Sequence, residues 1–237
     1  METAEYALMD SMEDRMWWYR ALHIRLIAAL EGVRGRVLDA GCGTGGLLDK
    51  LQAAMPALAL IGLEWSPHAA SRAAEKSGVP VTRGSINALP FAADSFDAAV
   101  AADVLCHAAV DPAVALGELH RVLRPRGRLV VNMPALGWLA SAHDVRVHNA
   151  RRLTAAQTEA MLRKAGFTPI RTHYWNGLLL PLMIIQRKIL ARGEASSDVA
   201  PFPPWLDATL HGITEFERRL PVRPPLGGSV LAVAERT

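Results

Sequence analysis

Short, continuously apolar segments alternate with helical segments along the first 134 residues. The apolar segments predict five β-strands, at 33–39, 58–64, 79–84, 95–103 and 128–133. The clearest helix start is the Ser66-Pro67 pair, because serine caps helix N-termini and proline fits the first helical turn. Strands that are apolar on both faces and joined by helices are typical of a parallel sheet covered on both sides. The predicted fold class is therefore α/β.

The pattern changes beyond residue 134. It predicts a polar loop at 141–152, a helix at 154–165 and two more strands at 167–175 and 229–234. The long stretch between these two strands exceeds an ordinary connection. It holds an apolar helix that ends in Arg187, Lys188 and Arg192, a proline-rich joint, and an amphipathic helix at 206–220. We predict a single domain, with a helical cap at 1–32, a core at 33–134 and an apolar helical insertion at 175–228.

The insertion carries more apolar side chains than the core of such a fold requires, among them Trp175, Met183 and Ile184. The favoured interpretation is a lid over a hydrophobic pocket. A homodimer face and a helix lying on a membrane surface are alternatives, and the basic residues that follow would suit anionic head groups. The longest apolar stretch, 177–185, contains a proline and is about half the ~20 residues that a membrane span requires.

A glycine-rich loop follows the first predicted strand. Gly41, Gly43 and Gly46 satisfy the G-x-G-x-x-G pattern, and Glu64 ends the next strand. Glycines let the backbone turn sharply and let a ligand approach the main chain. An acid at the position of Glu64 can accept both hydroxyls of a ribose. The loop alone is compatible with a dinucleotide cofactor or with a tight turn that binds nothing.

Asp39, two positions before Gly41, distinguishes a cofactor that carries a pyrophosphate from one that carries an ammonium group. A carboxylate beside a pyrophosphate is repelled by about 1–4 kcal/mol at intermediate dielectric, and it gains a similar energy beside an ammonium group. S-adenosylmethionine carries an ammonium group and a sulfonium, and no phosphate. The cofactor that suits Asp39 and Glu64 together is therefore S-adenosylmethionine.

Four motifs follow one another between residues 33 and 134: VLDAGCGTGG, IGLEWSP, GSINALPFAADSFDAAVAADVLCH and LGELHRVLRPRGRLVVNMP. Together they resemble the class I S-adenosylmethionine-dependent methyltransferases, in their small-molecule, type 11-like branch. The resemblance implies a Rossmann-like sheet of seven strands in the order 3-2-1-4-5-7-6, with strand 7 antiparallel and helices on both faces. It also implies methyl transfer, with S-adenosylhomocysteine as the product.

The resemblance assigns the methionine part of the cofactor to the glycine loop and the ribose to the acid that ends strand two. Where the family has an aspartate for the adenine amino group, this chain has Ser85, so the Ser85 hydroxyl or the Ile86 amide would recognise adenine. Arg20, or else Arg25, would meet the cofactor carboxylate; the favoured alternative is that their amphipathic helix only packs on the domain. The predicted cofactor-binding residues are Asp39, Gly41, Cys42, Gly43, Gly45, Glu64, Trp65, Ser85, Ile86, Ala102, His107 and Arg20.

Methyl transfer from an activated sulfonium depends mainly on positioning, and a base is needed only where the acceptor must lose a proton. The predicted bases are His107, after the fourth strand, and His143, after the fifth. The alternative for His107 is a structural histidine, and the alternative for His143 is a place in a hydrated loop. Asp103 either lines the pocket or caps a turn. The acceptor is predicted to be small and apolar, and its predicted binding residues are Trp18, Tyr19, His143, Asp144, His148 and Trp175.

The composition of the chain limits its structural class, its partners and its location. The 237 residues are 51% hydrophobic and 21% charged, which excludes disorder for most of the chain. The net charge of +3 is spread along the sequence, so no nucleic-acid partner is predicted. Cys42 and Cys106 cannot build a disulfide framework or a four-ligand zinc site, and no metal is predicted. The N-terminus lacks the features of an export signal, which predicts a cytoplasmic location.

Two other functions fit parts of this pattern. An NAD(P)-dependent oxidoreductase would share the glycine pattern, but neither Tyr19 nor Tyr174 has a lysine four residues on, and Asp39 opposes a phosphate. A non-catalytic, cofactor-binding subunit would use the apolar insertion as its docking face.

Overall fold

A computed structural model describes residues 3–186 and 202–237. Across these residues seven strands form one sheet in the order β3-β2-β1-β4-β5-β7-β6. β7 runs antiparallel to β5 and β6, and the other pairs are parallel. The predicted fold class, strand order and antiparallel seventh strand are confirmed. The strands are β1 Arg36–Ala40, β2 Ala59–Glu64, β3 Val81–Arg83, β4 Phe96–Ala102, β5 Leu123–Pro134, β6 Phe167–Trp175 and β7 Ser229–Arg236.

Helices connect the strands, and local capping signals set their ends. Ser66 accepts a hydrogen bond from the Ala69 N–H at the start of α4, which ends at Gly78 with a φ of 68°. Asp111 caps α5 in the same way. The helices are α1 Thr3–Met12, α2 Trp17–Ala29, α3 Gly46–Ala54, α4 Pro67–Ser77, α5 Pro112–Val122, α6 Ala142–Arg146, α7 Ala155–Lys164, α8 Leu180–Ile184 and α9 Pro204–Arg219.

Two hydrophobic clusters lie on opposite faces of the sheet, because successive strand residues point to opposite sides. Val37 of β1 belongs to the cluster that contains Leu26 of α2 and residues of α3 and α4. Leu38 belongs to the other cluster, which contains Leu116 of α5 and Leu162 of α7. The continuously apolar strands of the sequence are thus covered on both faces.

The structure differs from the predicted elements at the start of β5 and in the loop predicted after it. β5 begins at Leu123, which pairs with Phe96, before the register shifts through a turn at Arg126 with a φ of 65°. The predicted loop at 141–152 contains α6, because the Asp144 carboxylate accepts the Ser141 N–H at 2.9 Å. The predicted apolar helix is described only as α8. Its basic end, Arg187, Lys188 and Arg192, lies outside the described residues.

Helix α9 is attached to α2 by buried polar contacts. The Arg25 guanidinium, 5% exposed, donates to the Thr214 carbonyl oxygen at 2.7 Å. The buried Glu217 carboxylate accepts the N–H groups of Asn176 and Leu178 at 2.7 and 2.8 Å. The predicted cap and insertion therefore meet through α2 and α9. Among the described residues, no helix is long and apolar enough to cross a membrane.

Candidate active site

A cavity of about 620 Å³ lies at the carboxyl ends of β1, β2 and β4, where ligands of open α/β sheets bind. Residues of α1 and α2 complete its wall, and its volume suits a small-molecule ligand. Many predicted site residues line it: Trp18, Tyr19, Asp39, Gly41, Cys42, Gly43, Glu64, Trp65, Ser85, Ile86, Ala102, His107 and His148.

The loop at 41–46 folds tightly over the end of β1. Gly41 and Gly43 have φ angles of 98° and 55°, which glycine adopts without strain. The N–H groups of Gly41 and Cys42 donate to the Leu63 carbonyl oxygen at 2.8 and 3.0 Å. These bonds fasten the loop to the end of β2, and the backbone of the loop lines the cavity.

Two carboxylates bind N–H groups of this loop. The Glu64 Oε2 atom accepts the Gly43 N–H at 3.0 Å, and the Glu13 Oε2 atom accepts the Gly46 N–H at 3.2 Å, at the start of α3. A pyrophosphate binds through such N–H groups and the positive end of the following helix. Here those groups are already bonded to carboxylates, so the loop disfavours a phosphate-bearing cofactor.

Asp39 is a buried acid whose surroundings disfavour its charged form. It stands at the end of β1, is 3% exposed, and its Oδ2 atom has no hydrogen-bond partner in the described structure. Burial, together with the nearby charges of Glu64 and Glu13, raises the pKa of Asp39 to about 7. A buried carboxylate with an unbonded oxygen and acidic neighbours is suited to a cationic group. The residues present therefore fit an ammonium-bearing ligand.

Glu64 is bonded on both carboxylate oxygens. Its Oε1 atom accepts the Ser66 N–H and the Tyr6 hydroxyl, each at 2.9 Å. The Tyr6 bond comes from α1, 58 residues away in sequence. A ribose diol bound by Glu64 would meet the Tyr6 hydroxyl at the same oxygen.

Helix α1 is held over the glycine loop by charged groups. The Glu13 carboxylate accepts the Thr44 hydroxyl at 2.8 Å and is paired with the Lys76 ammonium, which also contacts Asp10 at 2.6 Å. Lys76 is largely covered by these contacts. The sequence motifs gave no indication of Tyr6 or Glu13, because both reach the loop from a segment that carries no motif of its own.

The predicted adenine-side residues lie together at one end of the cavity. Ile86 is 5% exposed, and the Ser85 Oγ atom accepts the Asn87 N–H at 3.2 Å. Trp65 is 72% exposed and contributes to the rim. This end of the cavity combines an apolar wall with a hydroxyl and backbone groups.

Asp103 also lines the cavity and is held by Asn132. The Asn132 Nδ2 atom donates to both carboxylate oxygens of Asp103, at 3.0 and 2.9 Å, and the Trp175 Nε1–H donates to the Asn132 Oδ1 atom at 2.9 Å. Burial raises the pKa of Asp103 to about 6, although Asn132 and Arg152 partly oppose the rise. Trp175, predicted to bind the acceptor, instead lies behind Asn132 and is 2% exposed.

The predicted histidines occupy different environments. His107 lines the cavity, its Nδ1 atom has no hydrogen-bond partner in the described structure, and burial lowers its pKa. His148 also lines the cavity, with a φ of 57°. His143 lies in α6, and its side chain is outside the described part of the structure. In the described ranges, no group of three His, Cys, Asp or Glu residues is placed to hold a metal ion.

The structure places Asp144 outside the cavity wall. Its carboxylate accepts two bonds from the Arg152 guanidinium, each at 3.0 Å, and both side chains are buried. Burial disfavours the charged form, but Arg152 outweighs it and holds the pKa of Asp144 below its usual range. This pair fixes the segment between β5 and α7, and of the two residues only Arg152 lines the cavity.

Arg20 and Gly45 also lie away from the cavity wall. The Arg20 Nη1 atom contacts the Asp207 carboxylate of α9 at 3.4 Å, because α9 packs beside α2. The second candidate, Arg25, lies over the Trp175 ring at 4.7 Å. A Cβ on Gly45 would stand 2.7 Å from the Ala73 Cα atom, so Gly45 permits close packing of the loop on α4.

Comparison with known proteins agrees with this geometry. A family model described as a methyltransferase domain matches residues 38–131. The demethylmenaquinone methyltransferase of Thermus thermophilus is 39% identical over 129 residues, which cover 52% of this chain and 56% of that protein. The chain thus spans only about half the length of this relative.

Two solved structures share the fold. A SAM-dependent methyltransferase from Thermotoga maritima superposes with a TM-score of 0.64 at 21% identity, covering 99% of this chain and 96% of that chain. The geranyl diphosphate C-methyltransferase of Streptomyces coelicolor A3(2) has a TM-score of 0.62 at 15% identity, covering 92% and 80%. At these identities the likeness concerns the fold.

The strand order, the glycine loop and the acids at the ends of β1 and β2 agree with the fold and the site that the sequence resemblance to class I S-adenosylmethionine-dependent methyltransferases implies. Residues 38–131, which match the model of the methyltransferase domain family, contain the glycine loop and both of these acids.

Proposed function

We propose that this chain transfers a methyl group from S-adenosylmethionine to a small, largely apolar acceptor bound in the same cavity. The observation that carries the proposal is Asp39, a buried carboxylate with an unbonded oxygen beside the glycine loop. The cofactor ammonium would pair with Asp39, and the ribose diol would bond to Glu64. Ser85 and Ile86 would face the adenine. S-adenosylmethionine supplies a methyl group already activated by its sulfonium.

The contribution of the chain is then orientation and exclusion of water. Helices α1 and α2 close one side of the cavity, and the glycine loop and the segment after β4 form the other. Both carboxylate oxygens of Glu64 are fixed by backbone N–H groups, so the acid is oriented before a ligand arrives. Such preorganisation reduces the entropy lost on binding.

The wall beyond the glycine loop supports an apolar acceptor. Its side chains are mainly hydrophobic and aromatic: Met16, Trp17, Trp18, Leu22, Val104, Val147, Met183 and Phe202. A quinone precursor is the acceptor implied by the name of the relative from Thermus thermophilus. An aromatic acceptor of this kind fits the wall, and His107 is available as a hydrogen-bonding group beside it.

The direct test is titration calorimetry of the full chain with S-adenosylhomocysteine and, separately, with NADH. We expect saturable binding of S-adenosylhomocysteine and no measurable heat with NADH, because carboxylates already occupy the N–H groups that a pyrophosphate would need. Absence of S-adenosylhomocysteine binding at about 1 mM, where the binding free energy would be weaker than about −4 kcal/mol, would refute the proposal.

Tyr6→Phe is expected to tighten S-adenosylhomocysteine binding by about two- to tenfold. The Tyr6 hydroxyl occupies the Glu64 oxygen that a ribose hydroxyl would use, and a net hydrogen bond of about 0.5–1.5 kcal/mol would no longer compete. Calorimetry gives the affinity. Tyr174→Phe is the matched control, since that hydroxyl contacts the Ala155 N–H away from the cavity wall. Unchanged or weaker binding in the Tyr6 variant would contradict this assignment.

A further inference from the structure

The segment that follows β4 contacts the glycine loop directly. A Cβ on Gly41 would stand 2.4 Å from the Val104 Cγ2 atom, so Val104, the residue after Asp103, lies against the loop assigned to the methionine part of the cofactor. Asp103, which lines the same cavity, would then lie nearer the methionine part of the ligand than its adenine. This placement rests on the proposed function.

The backbone at Asp103 adopts a conformation that is unusual for a residue with a side chain. Its φ is 53°, in the left-handed region, which costs roughly 1–2 kcal/mol for most residues. The Asp103 N–H donates to the Asn132 carbonyl oxygen at 3.0 Å, and the Cys106 thiol donates to the Asp103 carbonyl oxygen at 3.1 Å. Left-handed residues with side chains are concentrated at functional sites, where surrounding contacts hold them.

Hydrogen bonds from Trp175 to Asn132 and from Asn132 to Asp103 orient the Asp103 carboxylate. Asn132 of β5 is paired with Ala102 at the end of β4 and is fully buried. Its Nδ2 group bonds Asp103, and its Oδ1 atom is fixed by Trp175. With the carbonyl oxygen held by Trp175, the amide can present only its N–H side to Asp103. The Trp175–Asn132 pair thus favours an ionised carboxylate facing the cavity.

Other titratable groups face Asp103 from each neighbouring element. Tyr19 of α2 has its pKa raised by burial and by nearby acids, Asp103 among them. Cys106 lies on the same segment, and burial raises its pKa well above the usual value. Arg152, paired with Asp144, lowers the pKa of Asp103. His107 and His148 share the cavity wall.

We infer that Asp103 is the residue that binds and deprotonates a weakly acidic hydroxyl of the acceptor, and that the acceptor is a hydroxylated aromatic compound. Asn132 and Trp175 are positioning residues for this carboxylate. In the step, the carboxylate takes the hydroxyl proton, and the electron pair of the O–H bond stays with the acceptor. The acceptor oxygen, or a conjugated ring carbon, then forms the bond to the methyl carbon while the carbon–sulfur bond breaks and its pair stays on sulfur. After attack at carbon, the ring proton passes to water and the electron pair of its C–H bond returns to the ring, which restores aromaticity.

The test is calorimetric binding of 1-naphthol, in the presence of saturating S-adenosylhomocysteine, from about pH 5 to about pH 8. As a phenol, 1-naphthol stays protonated in this range, so changes in affinity report on the protein. For the wild type we expect affinity to rise about tenfold with pH, because a hydrogen bond to a charged carboxylate is stronger than one to a neutral group. Asp103→Asn should bind weakly and without this pH dependence.

Three further variants make the result specific. His107→Gln should retain the pH dependence, and Asn132→Leu should move its midpoint upward, because the Asn132 amide stabilises the ionised carboxylate. Glu75→Gln, on an exposed side chain, controls for the loss of a carboxylate. Thermal unfolding checks that each variant is folded; asparagine tolerates the left-handed backbone at residue 103.

The outcomes separate this inference from the proposed function. If S-adenosylhomocysteine binds but Asp103→Asn keeps the wild-type pH dependence, or if His107→Gln abolishes it, the assignment to Asp103 is overturned. The assignment is also overturned if a cationic aromatic amine, such as phenethylamine, binds tightly to the wild type and weakly to Asp103→Asn while 1-naphthol does not bind. If S-adenosylhomocysteine itself does not bind, the proposed function fails first.

Discussion

Replacing Asp39 with asparagine is expected to weaken S-adenosylhomocysteine binding by about 10- to 100-fold. The change keeps the shape of the side chain and removes its charge. A charge pair at this depth is worth roughly 1–4 kcal/mol at intermediate dielectric, and each 1.4 kcal/mol is about a factor of ten in affinity. Titration calorimetry at about pH 8, where Asp39 of the wild type is ionised, measures the effect.

The same substitution is expected to stabilise the ligand-free protein at high pH. The pKa of Asp39 rises from 3.8 in the unfolded chain to about 7 in the folded protein, so the folded state binds more protons between these values. The stability that Asp39 contributes is therefore complete below about pH 4 and is lost as the pH rises through about 7. Asp39→Asn should remove this dependence, which amounts to at most about 4 kcal/mol.

Urea unfolding at several pH values, without ligand, tests this second effect. Asp97→Asn is the contrasting control, because the Arg36 N–H and the Arg124 guanidinium hold the pKa of Asp97 below its usual value despite partial burial. That variant should lose stability at neutral pH and leave S-adenosylhomocysteine binding unchanged. Equal affinities for wild type and Asp39→Asn would remove the main support for a cationic ligand.

Gly45→Ala is expected to lower the free energy of unfolding by about 2–5 kcal/mol. Gly45 has a φ of 91°, and an added Cβ would stand 2.7 and 2.9 Å from the Ala73 Cα and carbonyl oxygen atoms. The left-handed backbone costs roughly 1–2 kcal/mol, and overpacking adds typically 1–3 kcal/mol. Because the neighbouring atoms belong to the backbone of α4, they cannot move aside as the end of a side chain could.

Gly78→Ala separates the two contributions. Gly78 also has a positive φ, of 68°, but no atom lies within 4 Å of an added Cβ. Its variant should lose only the backbone part, roughly 1–2 kcal/mol. Denaturant unfolding of both variants at equal pH gives the difference. If the two variants lose equal stability, contact with Ala73 is not what requires glycine at position 45.

Structural features that depend on residues close together in the sequence, such as helix ends, could be predicted. The Ser66-Pro67 start and the Gly78 end of α4 depend on local capping, and the structure has both. The strand order could be predicted because four motifs follow one another in a known family order. Asp39 and Glu64 could be placed together because both end adjacent parallel strands.

Contacts between distant segments could not be predicted in this way. Arg20 is paired with Asp207, 187 residues away in sequence. No local sequence pattern indicates that α9 packs beside the helix that carries Arg20. The glycine pattern identifies the loop but does not say which glycine faces the ligand and which faces α4. Proximity in sequence groups Asp144 with His143 and His148, whereas in the structure its buried partner is Arg152.

The position of β7 affects how the sheet is assembled during synthesis. β5 pairs with β4 on one side and with β7 on the other, and β6 has β7 as its neighbour in the sheet. When β5 and β6 leave the ribosome, the edge of each strand that will pair with β7 is therefore still open, and it stays open until β7 is made. Unpaired edges of this kind promote association between nascent chains, so chaperone dependence is expected to be greatest before the final strand is made.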